Sequence, residues 1–161
     1  LQSSGLLLGN ERWVEYARLV NFPNSGVARG QKVSREQIFG LIASVEDFLS
    51  GDEEEETRAY MRHMVGMVDR IAEIPGINAR VEHDPPNHRI PNCVVYFTAD
   101  WKGPDRAEIH RRLLYGDPRI YVSMLGPNGE LHVDPMNLVE GQHEIVAERL
   151  REVLLDAASG V

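Results

Sequence analysis

Two cations separated by two residues, Arg29 and Lys32, are the side chains whose types and spacing most directly suggest chemistry. They stand just before Ser34, which the pattern predicts as the start of a helix, where unpaired N–H groups favour anions. A guanidinium fork matches the oxygens of a carboxylate or a phosphate. Arg29 and Lys32 are therefore candidates for binding an anionic group. The alternative is a solvated loop that carries ordinary surface cations.

A second group that could do chemistry is the cluster of His83, Asp84 and His88, whose side chains are all possible metal ligands. The spacing matches no standard metal site. The intervening Pro85-Pro86 would also hold the side chains apart. We therefore predict no metal site here.

The first element that must be placed is the short apolar run of Leu6-Leu7-Leu8 between Gly5 and Gly9. Its length and its glycine boundaries predict a buried strand rather than a helix. Buried strands of this kind belong to sheets covered on both faces, which are usually parallel. The rest of the sequence offers no parallel neighbour, so we expect the partners of this strand to lie on chain that precedes it.

Five helices are predicted from apolar spacing and from capping residues. The clearest one starts at Ser34, where Gln37 three residues later completes a capping box. A Met-rich stripe that includes Met64 and Met67 predicts the buried face of the next helix, and its four leading glutamates complement the helix dipole. The predicted helices cover residues 10–20, 34–50, 52–74, 105–115 and 140–157.

Strand patterns alternate with the last two helices. Strands are predicted over 77–83 and 93–98, followed by a hairpin of 120–125 with 130–133 across the turn Gly126-Pro127-Asn128-Gly129. This order predicts an α+β fold, in which a largely antiparallel sheet has helices packed on one face. Residues 34–161 would form this small domain. Residues 1–33 would be the edge of a separate, larger α/β domain.

Composition limits the classes of partner and location. The 161 residues carry a net charge of −8, which argues against general nucleic-acid binding and against an anionic membrane surface. The single cysteine, Cys93, excludes an internal disulfide framework and fits a reducing compartment. No long apolar segment is present, so we predict a cytoplasmic protein without a membrane span.

Specific stretches of the sequence resemble the selenocysteine-synthase family of pyridoxal-phosphate enzymes, which includes L-seryl-tRNA selenium transferase and its sugar-acid ammonia-lyase-like relatives. Residues 2–9 (QSSGLLLG) resemble the segment just after that family's cofactor lysine, and residues 29–38 (RGQKVSREQI) resemble its Arg-x-x-Lys-Val stretch before a long interdomain helix. Residues 116–120 and 131–134 are similar to the small-domain hairpin of the wider aminotransferase-like fold.

The resemblance implies pyridoxal 5'-phosphate as the cofactor of the full-length protein. The family carries its Schiff-base lysine a short way upstream of the segment that residues 2–9 resemble. Lys32 and Lys102 are the only lysines in the chain, and neither matches that position or has a desolvated setting. We therefore expect no catalytic residue in this chain and no activity without the upstream, lysine-bearing segment.

The resemblance also implies binding residues. Arg29, and with it Lys32, would contact an anionic group of the substrate or of the cofactor. Gln2, Ser3 and Ser4 lie on a loop that approaches the cofactor phosphate in related folds; the alternative is a frayed terminus.

The activity that the resemblance implies lies at the α- or β-carbon of an amino acid or amino sugar acid. It would be elimination with ammonia release, as in a lyase, or β-replacement, as in a transferase. The protein would be a homo-oligomer, to which this segment contributes much of the surface. The alternative is a non-catalytic α+β binding or regulatory module.

Overall fold

The computed structural model describes residues 4–86 and 88–160, with residues 88 and 89 described by their backbone alone. That part of the chain contains five α-helices, one short 3-10 turn and one three-stranded antiparallel sheet, so the predicted α+β class is confirmed. The elements are α1 (Glu11–Val20), the 3-10 turn (Arg29–Gln31), α2 (Arg35–Ser50), α3 (Glu53–Ile71), β1 (Ile77–Asp84), β2 (His88–Phe97), α4 (Arg106–Leu114), β3 (Leu131–Val133) and α5 (Gln142–Ala158).

The chain divides into two compact units, Leu1–Asp52 and Glu53–Val161, which we call the N-terminal unit and the C-terminal unit. The N-terminal unit contains α1, the 3-10 turn and α2; the sheet and the other helices belong to the C-terminal unit. The predicted domain boundary falls earlier, at residue 33. That the first 33 residues belong to a larger domain stays a prediction.

The C-terminal unit has a core between one face of its sheet and its helices. The sheet order is β1-β2-β3, and the register aligns Val81 with Cys93 and Cys93 with Val133, so that these three side chains share the face toward the core. The predicted Met stripe of α3 is confirmed as core, since Met64 and Met67 are almost completely buried. Helices α4 and α5 complete the core through the fully buried residues Ile109, Leu113, Leu150 and Leu154.

The predicted hairpin is shorter than expected. Its second strand is β3, but residues 120–125 pair with it only at Ser123, whose N–H and C=O exchange hydrogen bonds with His132 at 3.0 and 2.9 Å. The N–H of Ile120 instead donates to the carbonyl of Leu113 at 2.9 Å. Ile120 and Val122 both turn into the core. Core packing and helix contacts thus take this segment out of the sheet ladder.

The N-terminal unit has the predicted helices but no core. α1 begins after Asn10, whose side-chain oxygen accepts the N–H of Arg12 at 3.0 Å, and α2 begins after Ser34. None of the described residues between 4 and 52 is buried. Helix α2 carries an apolar stripe that includes Phe48 and Leu49, and each of these two side chains is 75% exposed. A stripe is buried only where a second apolar surface covers it.

Residues 5–9 were predicted to form a buried strand whose partners lie on chain that precedes it, and this stays a prediction. The structure assigns no strand to residues 4–10, and Leu6, Leu7 and Leu8 are 58%, 61% and 78% exposed. A strand requires a neighbour that accepts and donates its ladder hydrogen bonds. None of the described residues supplies that neighbour to Leu6–Leu8.

Candidate functional site

The candidate anion-binding residues lie on residues 21–32, which we call the cationic loop. The loop carries two cations and no carboxylate, in a chain whose net charge is −8. It folds back onto the end of α1: the N–H of Ala28 donates to the carbonyl of Val20 at 3.0 Å, and a Cβ on Gly26 would lie 2.3 Å from the Cα of Val20. The backbone that holds the cations is therefore packed tightly against a helix end.

Arg29 is fixed to the loop at one end of its guanidinium. Its Nη1 donates to the carbonyl oxygen of Pro23 and, at 3.4 Å, to that of Asn24. Its Cζ lies 5.5 Å from the ring centroid of Phe22, a distance at which the ring quadrupole attracts a cation. Within the described residues Arg29 forms no ion pair, and its side chain is exposed. The Nε and Nη2 donors therefore have no protein acceptor in that part of the chain and are available to an incoming anion.

Lys32 contacts the same aromatic ring. Its Nζ lies 5.8 Å from the ring centroid of Phe22, and among the described residues it pairs with no carboxylate. The structure thus brings Arg29 and Lys32 together around Phe22, which is 51% exposed. Two unneutralised cations on one short loop attract an anion more strongly than either cation alone.

The start of α2 contributes less to anion binding than expected. The capping box is confirmed: the N–H of Gln37 donates to the Ser34 hydroxyl oxygen at 3.3 Å, and the Gln37 side-chain oxygen accepts the N–H of Ser34 at 2.6 Å. Glu36 also lies there, and hydrogen bonds from the Ser34 hydroxyl and from its own N–H lower the pKa of its carboxyl group. The helix start is therefore occupied by groups of this chain. An anion would be held by the side chains of the cationic loop.

Of the three residues predicted to approach the cofactor phosphate, Gln2 and Ser3 lie outside the described residues. Ser4 is exposed and belongs to no helix or strand. Their proposed role stays a prediction.

Neither lysine has the setting that a covalent cofactor anchor requires. Lys32 and Lys102 are both exposed, whereas a Schiff-base lysine must be desolvated enough to be a free amine. In the described part of the chain, the two lysines therefore lack a desolvated setting, and the role of Arg29 and Lys32 as an anion contact stays a prediction.

Phe22 was not among the residues singled out from the sequence. The local signal was present, because Phe22 is the single aromatic residue in a loop of breakers and small polar residues. Its closeness to both cations could not be read from spacing. That position depends on the fold of the loop around Gly26.

Two histidines that are far apart in the sequence are neighbours in the C-terminal unit. The rings of His63 on α3 and His143 on α5 stack with centroids 3.6 Å apart and an interplanar angle of 13°. Burial, followed by the neighbouring His143, lowers the pKa of His63. His110 meets the ring of Tyr121 edge to face at 5.4 Å. Among the residues that the structure describes, no three metal-ligating side chains are grouped so that they could hold an ion.

The outer face of the sheet carries a polar network beside a cleft of about 830 Å³. The Tyr96 hydroxyl donates to Glu82 at 2.5 Å, and Arg80 donates to Glu82 at 2.9 Å and to Tyr96 at 3.1 Å. The hydrogen bond from Tyr96 is the main cause of the lowered pKa of Glu82 and of the raised pKa of Tyr96. Each charged group of this network is satisfied by another member, which is typical of a structural network.

Known proteins are similar to this chain, although no protein-family model matches it. The chain is 31% identical over 133 residues to a 5'-C-glycyluridine monooxygenase-decarboxylase of Streptomyces sp, an alignment that covers 82% of this chain and 33% of the relative. It is 25% identical over 157 residues to the D-glucosaminate-6-phosphate ammonia lyase of Salmonella typhimurium (strain 14028s / SGSC 2262), covering 97% of this chain and 41% of that enzyme.

The structural comparison agrees with the second of these similarities. A solved structure of D-glucosaminate-6-phosphate ammonia-lyase superimposes with a TM-score of 0.65 and 25% identity, over 93% of this chain and 39% of that one. The chain therefore spans 33% to 41% of the length of the relatives it matches. None of the helices in the described residues is both long and apolar enough to cross a membrane. The chain is thus similar, over nearly its whole length, to part of an ammonia lyase.

Proposed function

We propose that this chain is the C-terminal part of a pyridoxal-phosphate-dependent enzyme that acts on an amino acid or amino sugar acid, and that Arg29 supplies an anion contact in it. The observation that carries the proposal is the state of Arg29: one nitrogen is tied to loop carbonyls, and the remaining donors have no carboxylate partner in the described residues. The similarity to an ammonia lyase over 97% of the chain supports the enzyme class.

The relatives are named for different reactions, ammonia loss and monooxygenation with decarboxylation, so the proposal starts from what their substrates have in common. Glucosaminate and a glycyl group both carry an amino group on the carbon next to a carboxylate. Pyridoxal phosphate supplies an electron sink for bond breaking at that carbon. Loss of ammonia is the outcome we favour, in agreement with the lyase similarity. β-Replacement, as in the selenocysteine-synthase-like enzymes that the sequence resembles, is the next candidate.

The cofactor anchor would lie on chain outside this one. The N-terminal unit presents apolar residues with no cover, among them Leu6–Leu8 and the stripe of α2. A larger domain that covers these residues would also carry the Schiff-base lysine. The full protein would be a cytoplasmic homo-oligomer, and the uncovered surface of the N-terminal unit would contribute to its interfaces.

The anion contact is tested in the full-length protein with D-glucosaminate 6-phosphate as the probe substrate. One charge-assisted hydrogen bond contributes about 1.5–3 kcal/mol, so Arg29→Ala should lower kcat/KM roughly 10-fold to 150-fold. Arg29→Lys keeps the charge but lacks the guanidinium fork, so its kcat/KM should lie between those of the wild type and Arg29→Ala. The rate is measured as ammonia released. An unchanged kcat/KM in Arg29→Ala would show that Arg29 does not contact the substrate.

The absence of a covalent anchor is tested on the 161-residue chain itself. Pyridoxal phosphate is added, the mixture is reduced with borohydride, and peptides are mapped by mass spectrometry. We expect no stoichiometric modification at Lys32 or Lys102. A specific adduct at Lys32 would overturn the assignment of the anchor to another segment.

A second function, that of a non-catalytic α+β binding or regulatory module, is favoured by one observation. The C-terminal unit has its own buried core, built from α3, α4, α5 and the sheet. A self-sufficient module would keep a ligand or partner when the N-terminal unit is removed. An enzyme segment would lose its anion contact, because Arg29 and Lys32 lie in that unit.

A further inference from the structure

We infer that Phe22 is a positioning residue: its ring holds Arg29 and Lys32 where both cations can meet one anion. This inference rests on the proposed function, since it assigns Phe22 a role in the same anion site. The supporting geometry is that the Arg29 Cζ and the Lys32 Nζ lie 5.5 and 5.8 Å from the centroid of one ring.

Two like charges on one short loop repel each other unless another group compensates them. In the described residues no carboxylate pairs with either cation, so acid side chains do not provide that compensation. The negative face of an aromatic ring attracts both cations and adds no net charge. Phe22 therefore keeps the cations together without neutralising them, as an anion site requires.

The two cations depend on Phe22 to different extents. Arg29 is additionally tied to the carbonyl oxygens of Pro23 and Asn24. Lys32 donates no hydrogen bond to the described part of the chain, so the ring is its main restraint there. Loss of the ring should therefore release Lys32 more than Arg29. The position of Lys32 would then have to be fixed by the anion at an entropic cost.

The ring is itself held by the loop. The backbone N–H of Phe22 donates to the Asn21 side-chain oxygen at 2.8 Å, and Asn21 also forms a bridge with Ala28. Phe22 is half-exposed, so it contributes little burial of its own. The contacts that distinguish Phe22 from the other exposed apolar residues of this unit are those with Arg29 and Lys32.

The experiment is a titration of the ¹⁵N-labelled 161-residue chain with inorganic phosphate, with the Arg29 Nε–H resonance as readout. We expect Phe22→Leu to weaken phosphate binding about 3-fold to 30-fold, the range that corresponds to losing one or two exposed cation–π contacts. Phe22→Tyr keeps the ring and should restore the affinity. Tyr16→Leu is the matched control, because Tyr16 is 47% exposed and lies 5.5 Å from the guanidinium carbon of Arg12, outside the cationic loop.

A double-mutant cycle separates positioning from a general effect on folding. If Phe22 acts through Lys32, then Phe22→Leu should cost less affinity in a Lys32→Ala background than in the wild type. Equal losses in both backgrounds, or tighter phosphate binding by Phe22→Leu, would overturn the inference. If Arg29→Ala leaves phosphate binding unchanged, the proposed anion site itself fails. If Arg29→Ala weakens binding and Phe22→Leu does not, the role of Phe22 alone fails.

Discussion

Gly26 offers a direct test of how the cationic loop is held against α1. An alanine Cβ at this position would lie 2.3 Å from both the Cα and the carbonyl oxygen of Val20. These are backbone atoms, which cannot rotate away as a flexible side chain can. Gly26→Ala must therefore push the loop off the end of the helix. Gly30→Ala is the matched control, since nothing lies within 4 Å of the Cβ that it would add.

The size of the effect follows from the kind of contact. Overpacking against fixed atoms costs about 1–3 kcal/mol, and at Gly26 this cost falls on the closed state of the loop. The opening equilibrium should thus rise roughly 5-fold to 150-fold. At Gly30 the φ angle is not in the left-handed region, so alanine should instead stabilise the loop by about 0.4–1 kcal/mol through the unfolded state.

Amide hydrogen exchange measures this opening at one atom. The N–H of Ala28 is the reporter, because its hydrogen bond to the carbonyl of Val20 at 3.0 Å closes the loop onto the helix. Its exchange should accelerate in Gly26→Ala and slow in Gly30→Ala. Phosphate affinity should fall with the first change only. Identical exchange at Ala28 in all three proteins would refute the close approach and the argument that the loop is pre-formed.

Three further predictions concern the C-terminal unit. Gly76→Ala should lower the free energy of unfolding in urea by about 2–4 kcal/mol, because φ is +82° and the new Cβ would lie 2.3 Å from the Cα of Trp101. Gly129→Ala is the control: φ is +84° but nothing lies within 4 Å of the new Cβ, so it should cost only about 1–2 kcal/mol. Equal losses in the two variants would contradict the contact with Trp101. Burial and His143 lower the pKa of His63, so on acidification the unfolded chain binds the proton before the folded chain does. The free energy of unfolding should therefore be highest above the unfolded pKa near 6.5 and should fall as the pH drops through the lower folded pKa. Urea midpoints measured across this range should fall less in His63→Gln. The C-terminal unit expressed alone should show one cooperative unfolding transition in calorimetry, because it has a buried core, whereas the N-terminal unit alone should show none. A cooperative transition in the N-terminal unit would contradict its lack of a core.

Much of the local structure could be predicted because its causes lie within a few residues. The cap at Asn10 and the capping box of Ser34 with Gln37 involve side chains and N–H groups two or three positions apart. The Met stripe of α3 and the alternation in β1 follow from the periods of helix and strand. The anion-binding candidate was likewise predicted from two cations close to a predicted helix start.

Pattern alone does not decide whether an apolar segment is covered. The run at Leu6–Leu8 has the pattern of a buried strand, and its partners were expected on chain that precedes it; α2 likewise carries an apolar stripe. Pattern describes what a segment requires, whereas burial depends on whether another surface is present to cover it. The described residues do not provide that surface, so these apolar side chains remain exposed.

The sequence by itself determined the helices, most of the strands, the α+β class and the two cations that form the candidate site. Only the tertiary structure decided that both cations lie near the ring of Phe22, that His63 stacks on His143, and that the segment before the Gly126–Gly129 turn joins the sheet at a single residue. The physical reason is range. Caps and periodicity act between neighbours along the chain, whereas ring contacts, close backbone approaches and burial arise between residues that only the folded backbone brings together.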